Sequence, residues 1–192
     1  NKELCKIFLE MILSDKIGKI TYLSTQYNIT TYEEAKSVRF DVLVQNQMGK
    51  IYDIENISDK IFNTKVLGDG FAIEIEGDEI IAPTDGTVVN VYTTEHAFII
   101  QDKFGHNILI HVGLGTSGLN GEGIKLFKKI GDTVKKGEKI GTLDRNAITK
   151  AGISLVSPVT FLNVDKAKYG IKVEKAGNVE AGEETVIFIT KK

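Results

Sequence analysis

"EHAFIIQDKFGHNILIHVGLGT", residues 95–116, holds two short apolar runs on either side of a turn. Gly105 reverses the chain between them, so the stretch reads as a β-hairpin. In the second run Ile108, Ile110, Val112 and Leu114 share one face of a period-2 pattern, while Leu109, His111 and Gly113 share the other. In the first run His96, Phe98 and Ile100 fall on one face. All three histidines of the chain, His96, His106 and His111, lie in this stretch. His106 belongs to the connection and is expected to be exposed. Pairing about Gly105 brings His96 and His111 onto neighbouring strands, where they can meet among Phe98, Ile100 and Leu109.

Two imidazoles on one apolar face carry several chemistries. A structural histidine needs a hydrogen-bond partner, and burying two together with neutral partners is costly. A neutral imidazole is a nucleophile near pH 7 and can hold a phosphoryl group. It is also a zinc ligand, but a catalytic zinc wants three protein ligands and a structural one four. The single cysteine, Cys5, is far away in sequence. A zinc at His96 and His111 would therefore need its third ligand from a partner or from an acidic side chain.

The same alternating texture extends from Val38 onward. The runs FDVLV, KIYDI, FAIEIE, GTVVNVY, AFIIQD, NILIHV, KIGTL and VIFIT are separated by Gly, Asp and Asn turns. Helices are expected at 123–129, 146–151 and 165–169 only. The fold class is all-β, an antiparallel sandwich or flattened barrel over residues 38–192. Residues 1–37 read as a helical extension or linker, with Leu4, Phe8, Met11 and Ile12 on one face and Glu3, Lys6 and Glu10 opposite. Five lysines against five acidic residues there argue against a DNA-reading helix pair and against a basic membrane anchor.

Bulk composition agrees with a soluble domain. The 192 residues carry a formal net charge of −2, with no Lys/Arg run, so no nucleic-acid partner is expected. One cysteine cannot form an internal disulfide, which fits a reducing, cytoplasmic setting. No apolar run approaches the roughly 20 residues that span a bilayer, so no direct membrane insertion is expected.

Two motifs are decoys. "GLGTSG", 113–118, matches the dinucleotide pattern G-x-G-x-x-G, which requires a helix directly after it within a βαβ unit. Here Gly121 and Gly123 would break the first turns of such a helix. "APTDGTVV" with "KIGDTVKKGEKIGTL" resembles lipoyl and biotinyl carrier hairpins but lacks a modifiable lysine at the tip.

Taken in order, "GKIYDIENISDKIFNTKVLGDGFAI", "APTDGTV", "TTEHAFII", "GHNILIHVGLGT", "LNGEGIKLF", "GDTVKKGEKI" and "SPVTFLN" resemble the glucose-type enzyme IIA domain of the bacterial phosphoenolpyruvate-dependent sugar phosphotransferase system. The resemblance implies an antiparallel β-sandwich and a phosphotransferase with a phosphohistidine intermediate. It casts His111, in the H-x-G motif, as phosphoryl acceptor, His96 as the residue assisting transfer, and Thr94 as part of their hydrogen-bonded site. Phe62, Tyr92, Phe98 and Leu109 would form the apolar rim of the partner surface, with Asp59 as an acidic contact. The implied partners are the phosphocarrier protein HPr as donor and a IIB domain of a sugar permease as acceptor. No cofactor is required, and the chain is expected in the cytoplasm, free or tethered to a permease. The ring nitrogen of His111 not used for transfer is expected to donate to a backbone carbonyl. The rivals are a zinc-dependent hydrolase using His96 and His111 and a regulatory binding module switched by phosphorylation. One departure stands out: the family reads H-x-G-x-D-T, and this chain has Gly115 where the aspartate belongs, on the surface that meets HPr.

Overall fold

The computed structural model describes residues 37–40, 48–165, 167–173, 177–180 and 187–191. The helical extension expected over 1–37 lies outside them, apart from Ser37, which opens the first strand. Among the described residues fourteen strands follow one another: β1 (Ser37–Phe40), β2 (Met48–Asp53), β3 (Asp69–Ile75), β4 (Glu79–Ile81), β5 (Gly86–Val91), β6 (Ala97–Asp102), β7 (Asn107–His111), β8 (Ile124–Leu126), β9 (Thr133–Val134), β10 (Lys139–Leu143), β11 (Val156–Phe161), β12 (Tyr169–Val173), β13 (Gly177–Glu180) and β14 (Ile187–Lys191). Every pairing between them is antiparallel. An eight-stranded sheet runs β13-β2-β3-β11-β7-β6-β5-β9, with two three-stranded sheets, β4-β10-β8 and β1-β14-β12. The architecture is the all-β antiparallel sandwich expected.

Alternation along the large sheet sorts its side chains into two apolar clusters. Phe71, Ile73, Ile75, Phe98, Ile100, Ile108, Ile110 and Val159 point into the main core, with Ile80, Ile140 and Ile148 from elsewhere in the chain. Each such side chain contributes about 1.5–3 kcal/mol on full burial. Ala72, Ala97 and Leu109 point to the opposite face and are covered by Ile54, Ile57 and Phe62. Phe62 comes from the short helix Lys60–Asn63, whose N-cap is Asp59; its carboxylate accepts from Ile61 N–H at 2.8 Å. Lys65 ties this segment down, bridging Glu55 at 2.7 Å and Asp69 at 2.8 Å.

Two of the three expected helices do not form. The stretch 123–129 contains a strand instead: Ile124–Leu126 is β8, paired with β10. Gly121 and Gly123 adopt φ of 89° and 82°, which stops a helix from starting, and Ile124 buried beside exposed Lys125 is a strand's alternation. After Asp165 the chain turns instead, with Lys168 N–H and Tyr169 N–H sharing the Asp165 carbonyl, and Tyr169 already opens β12. The third expected helix stands, as Arg145–Lys150 capped by Asp144. Conversely, Pro158 disguises β11 as something other than a strand. That strand lies between β3 and β7, and its ladder with β7 starts at Val159, just past the proline.

Candidate functional site

Register makes the site. In the β6–β7 hairpin Ala97 faces His111 and Ile99 faces Leu109, so His111 emerges on the smaller, outer face beside a methyl group. The pairing continues one step past the strand, with Val112 N–H donating to the His96 carbonyl at 2.8 Å. Strict alternation would send His96 to the Phe98 side, into the main core. It does not go there. Glu95 sits in the left-handed region at φ 56° inside a tight turn closed by Glu95 N–H to the Tyr92 carbonyl at 2.8 Å. The chain enters β6 from that turn, and the His96 ring meets the His111 ring edge to face, centroids 4.9 Å apart at 74°.

Both rings are enclosed, His96 at 1% and His111 at 4% exposure. Phe62 stands edge-on to His111 at 5.3 Å, and Tyr92 is tilted against His96 at 5.8 Å. The Thr94 hydroxyl is hydrogen-bonded to His96 Nδ1. His96 Nε2 and His111 Nδ1 are buried with no hydrogen-bond partner. His111 Nε2 is neither hydrogen-bonded nor among the buried unpartnered atoms, so it is the nitrogen with access from outside.

Electrostatics keep both rings neutral. Burial pushes the pKa of His96 down to about 4, and the neighbouring His111 adds to the effect. Burial also pushes His111 down to about 4. The backbone of Gly113 and of His111 itself pulls His111 the other way, as an acceptor facing the ring would. No contact there reaches hydrogen-bond geometry, so the bond expected at Nδ1 is not formed in full. At pH 7 each imidazole keeps a lone pair for attack or for a hydrogen bond.

The residues expected at the partner surface fall in different places. Phe62 and Leu109 adjoin the histidines but are buried at 1% and 2% exposure, forming a wall instead of a rim. Phe98 is a correction: it pairs with Ile110 and packs in the main core, on the other side of the sheet from His111. Tyr92 is half-buried and at the site. Asp59 is half-exposed, with its carboxylate engaged as a helix cap. Gly115 is exposed at φ 95°, with nothing within 4 Å of where a Cβ would stand. His106 is also corrected: its side chain is 17% exposed and bonded through Nδ1 to Asp102 at 2.9 Å.

Two hydroxyls escape a reading by sequence. Thr116 Oγ1 donates to the Val112 carbonyl at 2.5 Å, and Ser157 Oγ accepts from Gly113 N–H at 2.9 Å. A polar residue inside the apolar run "VSPVTF" is the available signal, and Pro158 masks it together with the strand. A groove of about 710 Å³ lies alongside, lined by residues such as Thr94, Glu95, Asn120, Lys125 and Asp144, and includes neither histidine of the pair.

Comparison with known proteins accords with this geometry. Residues 41–167 match the model of the phosphoenolpyruvate-dependent sugar phosphotransferase system EIIA 1 family. The glucose-specific EIIA component of Haemophilus influenzae is 33% identical over 159 residues, 83% of this chain and 94% of that protein. The glucose-specific EIIA component of Oceanobacillus iheyensis is 36% identical over 141 residues, 73% of this chain and 85% of that one. The glucoside-specific EIICBA component of Staphylococcus carnosus is 35% identical over 139 residues, which make up only 20% of its length. Among solved structures, glucose permease IIA from Mycoplasma capricolum superposes with a TM-score of 0.72 at 33% identity, covering 81% of this chain and 98% of that one. With the match spanning the whole hairpin and both of its facing histidines, the chain belongs to the EIIA 1 family of the phosphoenolpyruvate-dependent sugar phosphotransferase system.

Proposed function

We propose that this chain is a phosphocarrier in which His111 takes a phosphoryl group from phospho-HPr and gives it to a cysteine of a IIB domain. The observation that carries the reading is the pair of neutral, mutually facing imidazoles. The His111 Nε2 lone pair attacks phosphorus as the donor's N–P bond breaks, and the donor imidazole recovers its lone pair. In the second half the IIB thiolate attacks phosphorus and the N–P bond to His111 breaks. The transition state is loose, so positioning and charge stabilisation do most of the work.

His96 and Thr94 supply the stabilisation. With the Thr94 hydroxyl donating to Nδ1, the proton of neutral His96 sits on Nε2, a buried N–H without a protein acceptor. A phosphoryl oxygen is a ready acceptor for it as charge spreads. Phe62, Leu109 and Tyr92 keep water from the phosphohistidine.

The working partners are HPr and IIB, at the cytoplasmic side of a sugar permease. The fused EIICBA relative supports the IIB pairing, and among the described residues no helix is long and apolar enough to cross a membrane. The described residues offer no third metal-ligating side chain beside the histidines. A zinc ion here would need ligands from a partner, so phosphoryl transfer is favoured over zinc hydrolysis. Incubation with phosphoenolpyruvate, enzyme I and HPr, followed by mapping of acid-labile phosphate, tests the reading. Phosphate on His111 is the expected result; phosphate on His96 reverses the roles, and no uptake overturns the function.

A further inference from the structure

Strand β11 carries two fully buried hydroxyls, Ser157 and Thr160, each 0% exposed. Thr160 Oγ1 has no hydrogen-bond partner. Ser157 Oγ has two: it accepts from Gly113 N–H at 2.9 Å and donates to the Leu155 carbonyl at 2.9 Å. The first bond grips the same peptide unit whose carbonyl, that of Val112, accepts from Thr116 Oγ1 at 2.5 Å. One peptide plane just beyond His111 is thus held from both sides. Its surroundings allow no slack. Val112 N–H is bonded to the His96 carbonyl, and Leu114 N–H to the Ser154 carbonyl at 3.0 Å. Gly113 has φ 72°, and a Cβ there would come within 2.7 Å of Thr116 Cγ2 and 2.9 Å of the Ser154 carbonyl.

That plane matters because it lies one residue beyond His111, whose Nδ1 is buried without a partner, and because the Gly113 backbone acts on the ring as an acceptor would. If the plane rotated, Gly113 would move with it, and the main chain that sets the direction of the His111 ring would shift. We propose that Ser157 is a positioning residue for His111: by holding the Val112–Gly113 peptide it fixes the main chain that follows His111, and with it the setting of the ring that buries Nδ1 and leaves Nε2 as the reacting nitrogen. The kinetic side of this rests on the phosphocarrier reading; the geometric side does not.

The test compares Ser157→Ala with Thr160→Val in the full chain, reading ¹⁵N shifts of the His111 ring alongside the rate of phosphorylation by phospho-HPr. Wild type and Thr160→Val should share one tautomer, protonated at Nδ1, and one rate. Ser157→Ala should give mixed tautomers and phosphorylate about tenfold more slowly, the scale expected of a small misplacement in a transfer reaction. Ser157→Thr, which keeps the hydroxyl, should restore the wild-type ring signals. Where Ser157→Ala fails to fold, Ser157→Cys takes its place, keeping the volume while weakening the acceptor. A folded Ala or Cys variant with wild-type ring shifts overturns the proposal. If the wild-type chain takes up no phosphate, the phosphocarrier reading falls, and the ring shifts still decide whether Ser157 positions His111.

Discussion

The β6–β7 hairpin has a histidine site at each end, and the two are built on opposite terms. At the turn, the Asp102 carboxylate accepts from Phe104 N–H at 2.8 Å, His106 N–H at 2.9 Å and the His106 ring at 2.9 Å. The Asp102 side chain is 1% exposed, and three donors answer its charge. At the open end His96 and His111 face each other directly, with two buried nitrogens unpaired. The residue type is the same, and only the partners differ. A histidine anchored to a buried carboxylate holds the fold; one left with a buried nitrogen unpaired holds capacity for a ligand.

The largest effect that would break this comparison concerns the proposed nucleophile. His111→Ala should abolish phosphate uptake, whereas His106→Gln should leave it near wild type; loss of uptake in the second variant would erase the distinction. His96→Gln should still accept phosphate on His111 yet donate it poorly to IIB, as measured by chasing labelled chain with IIB.

Acid sharpens the contrast next. Folded His96 and His111 have pKa values of about 4, below the unfolded value of about 6.5, so the unfolded chain binds more protons between these limits. Their stabilising share is complete above pH 6.5 and is lost as pH falls toward 4. At pH 5 the loss is about 2 kcal/mol per histidine. Urea midpoints at pH 7 and pH 5 measure it; a flat profile would mean that the pair titrates normally.

At the turn, Asp102→Ala strands two backbone N–H groups and should cost about 2–3 kcal/mol in urea unfolding, with phosphate uptake intact in the folded fraction. The smallest effect belongs to Gly115. Gly115→Asp should quicken phosphorylation by a standard HPr at low salt, by about tenfold at most, the equivalent of ~1.4 kcal/mol. The gain should fade as ionic strength rises. Its left-handed backbone, φ 95°, strains an L side chain by about 1 kcal/mol, so the substituted chain should also melt slightly earlier.

Much of this is legible in the residues. Gly105 between two alternating runs places His96 and His111 side by side, and the distribution of glycines announces an all-β fold. What alternation does not convey is the turn at Glu95, which takes the His96 ring out of the Phe98 row; hence Phe98 is expected at the rim and found in the core. Pro158 argues against a strand that the sheet accommodates by starting its β7 ladder one residue later. His106 looks exposed because a turn usually is, and nothing in the local pattern signals that Asp102 folds back beneath it.

Strands β6 and β7 lie well inside the eight-stranded sheet, flanked by β5 and β11. The segment bearing both histidines therefore has no loose edge. Amide exchange at Ile110 and Val112 should track whole-domain unfolding, because interior ladders open last. A site so placed is expected to be rigid. On the proposed reading, the visiting proteins must then bring their reactive groups to a surface already set.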